Sequence, residues 1–196
     1  MKKIALLLLA CSLWLHAGLT QSQITPTMKE KIQAVTDLLQ SKTLNAEEVS
    51  EYVFNEFGPV FDFALMARLS LGASQWRALS TKEQDEYTEK FIARLKRSFM
   101  EKLNLYSDEI AVIKGTEEAQ IGPSTRLYLL TELIGKEDNY SVVYKFYDAK
   151  EKGWMIYDVD ILDVSVVQTY RSQFDGFLKD NSFRALIDWL QADKTP

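Results

Sequence analysis

An α+β fold is predicted, and three observations point to it. Apolar residues recur at helical spacing through the first half of the chain, to about Leu103. Beyond Tyr106 the pattern changes to runs rich in β-branched and aromatic residues, separated by charged or glycine-containing turns. From residue 164 helical spacing returns. Helices kept apart in sequence from consecutive strands favour a twisted antiparallel meander, here of about four to five strands, wrapped by the N-terminal and C-terminal helices.

The first helix is TMKEKIQAVTDLLQ, with Met28, Ile32, Val35, Leu38 and Leu39 at helical spacing. The preceding GLTQSQITPT is polar and turn-rich and reads as a leader. AEEVSEYVFNEF follows, its first turn carrying Glu47 and Glu48 where the helix dipole favours them, and Gly58-Pro59 breaks it. FDFALMARLSLG is the third helix, ended by Gly72. Ser80-Thr81-Lys82-Glu83 is a capping box that opens a long helix to about Leu103. Its apolar residues Tyr87, Phe91, Leu95, Phe99 and Leu103 recur every fourth position. Four residues overshoot a full turn by about 40°, so this stripe winds and broadens, and Ile92 and Met100 widen it further.

Strands are expected at residues 110–114, 117–121, 126–134, 140–148 and 153–162. A helix at 164–178 follows, with Asp163 as its N-cap, and a last helix at 182–192 begins after Asn181-Ser182. The helical part thus spans 27–105, the sheet 108–162 and the C-terminal helices 164–192 of a single domain, residues 18–196. Strict alternation in WMIYDVDIL sets Trp154, Ile156, Asp158 and Asp160 on one face, and Met155, Tyr157, Val159 and Ile161 on the other.

The N-terminus changes the composition. Lys2 and Lys3 precede an apolar run from Ile4 to Leu15, with Ala17 and Gly18 at its end. That is the pattern of a signal peptide, residues 1–17. A transmembrane anchor needs about twenty apolar residues, and this run is shorter. Leu8-Leu9-Ala10-Cys11 offers a second, lipoprotein-type cut, but Leu13-Trp14-Leu15 carries the apolar run past Cys11 and favours cleavage after Ala17. Cleavage there leaves 179 of the 196 residues and removes both Cys11 and His16, the sole cysteine and histidine. Disulfides, zinc held by His or Cys, and His-assisted nucleophiles are then excluded. Net charge falls from −5 to −7 with the loss of the two lysines, against nucleic acid as a partner.

The strands are more apolar than a sheet with one wet face requires. RLYLLTELI is interrupted only by Thr131 and Glu132, and Phe54, Phe57, Phe61 and Phe63 add an aromatic run. Two readings follow: a core filled with aromatics, or a sheet and helices enclosing a cavity for an apolar ligand. Periodicity does not separate them.

Two spaced patterns add to this. GPVFDFALMARLSLGASQWRALSTKEQDEYTEKFIARLKRSF carries Pro59, Asp62, Met66, Arg68, Leu71-Gly72, Trp76, Gln84, Tyr87, Phe91, Leu95 and Phe99. A second stretch carries Trp154, Ile156, Asp158 and Val159, then Val164, Ser165, Val167, Tyr170, Arg171 and Phe174. Together these resemble the MlaC family, also called the toluene-tolerance family, over about residues 50 to 190. Asp163 departs from the pattern, where a glycine is usual. The resemblance implies a periplasmic phospholipid carrier without a cofactor, a monomer that exchanges lipid with an inner-membrane ABC transporter complex and an outer-membrane lipoprotein complex, as in the maintenance of outer-membrane lipid asymmetry. It implies acyl chains held between sheet and helices, with the head group near solvent. The residues expected to hold lipid are Phe63, Met66, Trp76, Phe91, Leu95, Phe99, Leu129, Val142, Tyr144, Phe146, Ile156, Val167, Tyr170, Arg171 and Phe174, with core packing the other reading for each. Arg171 suits a lipid phosphate, but Asp175 one turn on, or Asp158 across the strand, offers it an ordinary ion pair.

Rival functions come from other classes, the first being a small-molecule isomerase or hydrolase with a carboxylate and tyrosine site. Asp158 and Asp160, with Asp163 beyond, have the makings of a cation site or an acid–base pair, or else form a solvated strand end and a helix cap. A ligand-free interaction module with an aromatic core is the other rival.

Overall fold

The structure, a computed structural model, describes residues 18–103, 109–136 and 138–192. The expected signal peptide, residues 1–17, lies outside them. No helix among the described residues is long and apolar enough to cross a membrane.

Helix α1, Gln21–Ser41, begins well before Thr27 and takes in the stretch read as a leader. Thr20 is its N-cap, and the Thr20 backbone N–H donates to Gln23 Oε1 at 2.9 Å. Pro26 is tolerated inside the helix because the carbonyl it deprives of a partner belongs to Ser22, which is exposed to water. Ile24, Met28 and Ile32, spaced by four, are buried with the sheet. Helix α2, Ala46–Phe57, is held by a reciprocal Asn45–Glu48 capping box. After the 3₁₀ turn Gly58–Val60, Asp62 caps α3, Phe63–Leu71, by accepting from the Leu65 N–H at 2.9 Å. Gly72 ends α3 at a φ of +86°, and the short α4, Ala73–Ala78, leads to α5, Thr81–Leu103. The predicted Ser80–Glu83 box opens α5.

The sheet has the order β1-β2-β3-β4-β5, each strand antiparallel to the next. Its strands are β1, Ile110–Ile121; β2, Ser124–Ile134; β3, Asn139–Asp148; β4, Trp154–Ile161; and β5, Val164–Ser165. The two strands expected at 110–114 and 117–121 are one. Gly115 marks a bulge, not a turn, where the register with β2 slips between Ile113 and Gly115.

A second bulge, at Tyr157, overturns the expected faces of β4. Phe146 pairs with Ile156, but Lys145 pairs with Asp158, so one residue is added and alternation restarts. Ile156, Val159 and Ile161 therefore share the inner face, and Asp158 and Asp160 point away from it. Three cross-strand rows result: Leu127–Phe146–Ile156, Leu129–Tyr144–Val159 and Thr131–Val142–Ile161.

The strand-to-helix turn also differs from expectation. Leu162 and Asp163 both have left-handed φ, 51° and 62°, and form the two-residue turn of a β4–β5 hairpin. Asp163 is therefore a turn residue. Ser165 caps α6, Val166–Phe177, its Oγ accepting from the Gln168 N–H at 2.9 Å. Helix α7, Phe183–Gln191, is capped by Ser182.

Two filled cores result. One joins α3, α5, α6 and α7: Met66, Leu71, Tyr87, Phe91 and Phe174 pack with Leu186, Ile187 and Leu190 of the last helix. The other joins α1 and the end of α2 to the Leu127–Phe146–Ile156 end of the sheet.

Candidate functional site

Between the two cores lies a cavity of about 700 Å³. Along the inner face of β4 exposure rises from Ile156, fully buried, through Val159, half-buried, to Ile161, 41 % exposed, while Leu129, Thr131 and Val142 beside it stay buried. The wall is completed by Val53, Phe54 and Phe57 from α2, Phe61, Phe63 and Met66 at α3, and Leu95 and Phe99 from α5. On the α6 side it is completed by Val166, Thr169, Tyr170 and Gln173. Aromatic rings pave one side: Phe54 and Phe61 stack on Phe63 at 5.8 and 5.2 Å, and Phe57 stacks on Tyr144 at 6.5 Å. The mouth is marked by lining residues that are also exposed: Ile161 and Val164 on the hairpin, Glu101 and Lys102 at the end of α5, and Thr169 and Gln173 on α6.

Of the residues named from sequence, Phe63, Met66, Leu95, Phe99, Val142, Tyr144 and Tyr170 lie on this wall. The others lie elsewhere. Phe91, Val167 and Phe174 are buried in the helical core, and Trp76 packs against that core, its ring 6.3 Å from Tyr87. Leu129, Phe146 and Ile156 fill the sheet core. Arg171 is outside the cavity wall. Its Nε donates to Asp175 Oδ2 at 2.7 Å, and its guanidinium covers Gly72, where an added Cβ would sit 1.1 Å from Nη1. That close approach accounts for glycine at 72, together with its positive φ.

Asp158 is only 5 % exposed, and both its oxygens are engaged. Oδ1 accepts from the Val159 and Val167 N–H groups at 2.9 and 3.1 Å, and Oδ2 accepts from Ser165 Oγ at 2.7 Å. Lys145 bridges Asp158 and Asp160 from the face opposite Val159. Burial alone would lower the Lys145 pKa, but the hydrogen bond and charge of Asp160 and Asp158 outweigh it and leave it raised. These carboxylates anchor β4 to the N-terminus of α6, a structural task on the side of the strand away from the cavity. Asp62 is similarly engaged: it caps α3 and accepts a hydrogen bond from the Tyr147 hydroxyl, tying α3 to β3.

The polar atoms of the wall were not read from sequence. Arg94, Ser98 and Lys102 follow one another at intervals of four on α5, beside Leu95 and Phe99, and all five line the cavity. Ser98 Oγ lies 3.2 Å from Tyr170 Oη. Burial pushes the Tyr144 phenol up to about 12. The signal for the α5 strip was its four-residue spacing, parallel to the apolar stripe.

Comparison with known proteins bears on this arrangement. Residues 28–192 match the family described as MlaC protein. No curated protein matches the sequence. Among solved structures, the phospholipid-binding protein from Ralstonia solanacearum, determined in complex with a phospholipid, superposes with a TM-score of 0.69. The two chains are 18 % identical, and the superposition covers 88 % of this chain and 94 % of the other. The two share a fold.

Proposed function

The chain belongs to the MlaC family, and on that premise we propose that it carries phospholipid through water, with the acyl chains inside the cavity between sheet and helices. The observation that carries this reading is the hollow of about 700 Å³ left between two otherwise filled cores. Its size falls within the range of roughly 300–1,000 Å³ usual for ligand sites, and its wall is mostly aliphatic and aromatic. The solved relative, seen with a phospholipid bound, supports the same use of the shared fold.

The energetics suit a carrier. A two-chain phospholipid has about thirty methylenes, and at ~0.8 kcal/mol each their exposure costs roughly 24 kcal/mol. A bilayer and an apolar cavity both avoid that cost, so loading and unloading are close to thermoneutral and direction is set by partners. The cavity-wall residues Phe63, Met66, Leu95, Phe99, Val142, Tyr144 and Tyr170 hold the chains in this reading, with Phe54, Phe57 and Phe61 added to them.

The same proposal includes removal of residues 1–17, a single domain over residues 18–196, a periplasmic location, and exchange of lipid with an inner-membrane ABC transporter complex and an outer-membrane lipoprotein complex. The protein acts as a monomer and does no chemistry on its cargo. The carboxylates an enzyme would need free, buried Asp158 and part-buried Asp160 and Asp62, are held by Lys145, Ser165 and Tyr147. Native mass spectrometry of protein purified from cells tests the reading. The expected spectrum shows the chain plus the mass of a phospholipid, identified after extraction. Protein that is always free of amphiphile, and takes none up from phospholipid vesicles, contradicts it.

A further inference from the structure

The mouth of the cavity is edged by a short hairpin that leaves apolar side chains in water. Ile161 and Val164 line the opening, and between them Leu162 and Asp163 make the turn from β4 to β5. Leu162 is 53 % and Val164 57 % exposed, among the most exposed large apolar residues of the described chain. At the same end of the sheet, three residues beyond the Thr131–Val142–Ile161 row, Ile134 and its partner Ile110 are exposed as well. Single exposed apolar residues are ordinary, but these gather where the cavity opens.

Neither turn chemistry nor packing accounts for Leu162. A two-residue turn with both residues left-handed takes Asn-Gly or Asp-Gly by preference, because most side chains are strained there. Leu162 occupies the first of these positions at a φ of 51° and stays more than half exposed. The tip is held in place, since the Leu162 N–H donates to the Ser141 carbonyl at 2.9 Å. A residue that breaks a local rule without gaining a core contact marks a site with a task outside the fold. The tip carries no aromatic ring and no arginine, the usual anchors of a protein interface, where Leu and Val are under-represented. Aliphatic side chains at the rim of an acyl-chain cavity instead suit the apolar layer of a lipid surface.

We propose that the β4–β5 hairpin is a lipid-surface contact: Leu162 and Val164 enter the head-group layer of a bilayer and seat the cavity mouth against it. This rests on the carrier reading and deepens it. Acyl chains leaving the bilayer pass Val164 and Ile161 directly onto the cavity wall, so apolar cover is continuous from one to the other. Asp163 at the tip, with Glu101 and Lys102 at the end of α5, keeps the contact shallow, because charged groups stay among the head groups. The charge of −7 on residues 18–196, that is −5 for the whole chain less Lys2 and Lys3, opposes a lasting stay on an anionic surface. A carrier has to leave again.

The experiment separates holding a lipid from taking one out of a membrane. Mature protein, residues 18–196, is prepared as wild type and as the double variant Leu162→Asn, Asp163→Gly, which installs the residues the turn prefers and removes the apolar tip. Transfer of pyrene-labelled phosphatidylcholine between donor and acceptor vesicles of phosphatidylcholine is followed by fluorescence. The phospholipid each protein holds after loading from detergent is read by native mass spectrometry. The variant should have a urea midpoint at or above that of the wild type and hold the same amount of lipid. It should nevertheless move lipid between vesicles about tenfold more slowly, the factor for losing one leucine side chain from an apolar contact. Leu162→Asp, read in the same way, should be slower still. An unchanged transfer rate in the folded variants overturns the proposal, and so does a loss of bound lipid as large as the loss of rate, which would make the tip part of the cavity. Wild-type protein that loads from detergent but moves no lipid between vesicles also overturns it, and is the outcome expected if the tip fits a socket on a partner protein. Wild-type protein that takes up phospholipid from neither source refutes the carrier reading itself.

Discussion

Phe91 and Leu95 stand one helical turn apart on α5, and one fills a core while the other faces an empty space. The distinction sets opposite expectations for substitution. Phe91 touches Tyr87, Tyr170 and Phe174 ring to ring, so Phe91→Ala should cost about 3–5 kcal/mol in urea unfolding. Val142, on the wall, has room in front of it. Val142→Trp should leave stability within about 1 kcal/mol of the wild type, escaping the usual penalty of overpacking, and should lower phospholipid per mole of purified protein by at least roughly half. A large loss of stability with lipid content unchanged would mean that Val142 faces packed side chains. Tyr144, its neighbour on the same face, sets a pH limit. Its phenol is raised from the ordinary value of 10.0 to about 12 by burial, so the unfolded chain releases this proton first. The contribution is complete below about pH 10 and is lost as pH rises from there through about 12. Tyr157, also raised to about 12 and chiefly by burial, adds to the same slope. The urea midpoint should therefore hold level at neutral to mildly alkaline pH and fall above about pH 10, less steeply in Tyr144→Phe. Equal slopes in the two proteins would place that phenol in water.

At the scale of elements, the stability of the β4–α6 junction rests on Asp158. Asp158→Asn removes a charge that Lys145 and the first turn of α6 both use, and should cost about 1–3 kcal/mol. Lipid content per folded molecule should stay the same, because the carboxylate faces away from the cavity. A loss of bound lipid in fully folded Asp158→Asn would contradict that division between junction and wall. This junction also shows what the sequence did and did not make legible. Helices closed by local chemistry were readable: Asn45–Glu48 and Ser80–Glu83 are contiguous signals that need no tertiary partner. The bulges at Gly115 and Tyr157 were not, because an extra residue exists only relative to the opposite strand. Missing the second one put Val159 and Ile161 on the wrong side and made Asp158 and Asp160 look like inward-facing partners of Ile156. Pro26 concealed the start of α1 for another reason, since its missing bond falls on a hydrated carbonyl and costs little. The cavity residues were readable by type but not by direction. A stripe that winds by about 40° every four residues serves the core at Phe91 and the cavity at Leu95 and Phe99 with the same kinds of side chain. Arg171 carried the right chemistry for an acid group, but it lies over Gly72 and pairs with Asp175, outside the cavity wall.

For the whole molecule, stability and function draw on different parts of one apolar surface. Native domains are stable by only about 5–15 kcal/mol, so an unfilled space is tolerated only if what surrounds it is firmly packed. The two cores supply that packing: Ile24, Met28, Phe146 and Ile156 are fully buried on one side of the hollow, and Tyr87, Phe91, Leu186 and Ile187 on the other. The space between them opens along the Ile161 edge of the sheet, beside the exposed Leu162 and Val164 of the hairpin. On the proposed carrier reading, cargo would enter and leave there without either core being breached. The most direct test places a reporter on the cargo itself. A phospholipid with a photoreactive diazirine near the end of one acyl chain is loaded from vesicles, irradiated, and its attachment sites are mapped by peptide mass spectrometry. The account predicts attachment to wall residues such as Phe54, Phe63, Leu95 and Val142, and attachment confined to exterior residues or to the hairpin tip at Leu162 and Val164 would contradict it.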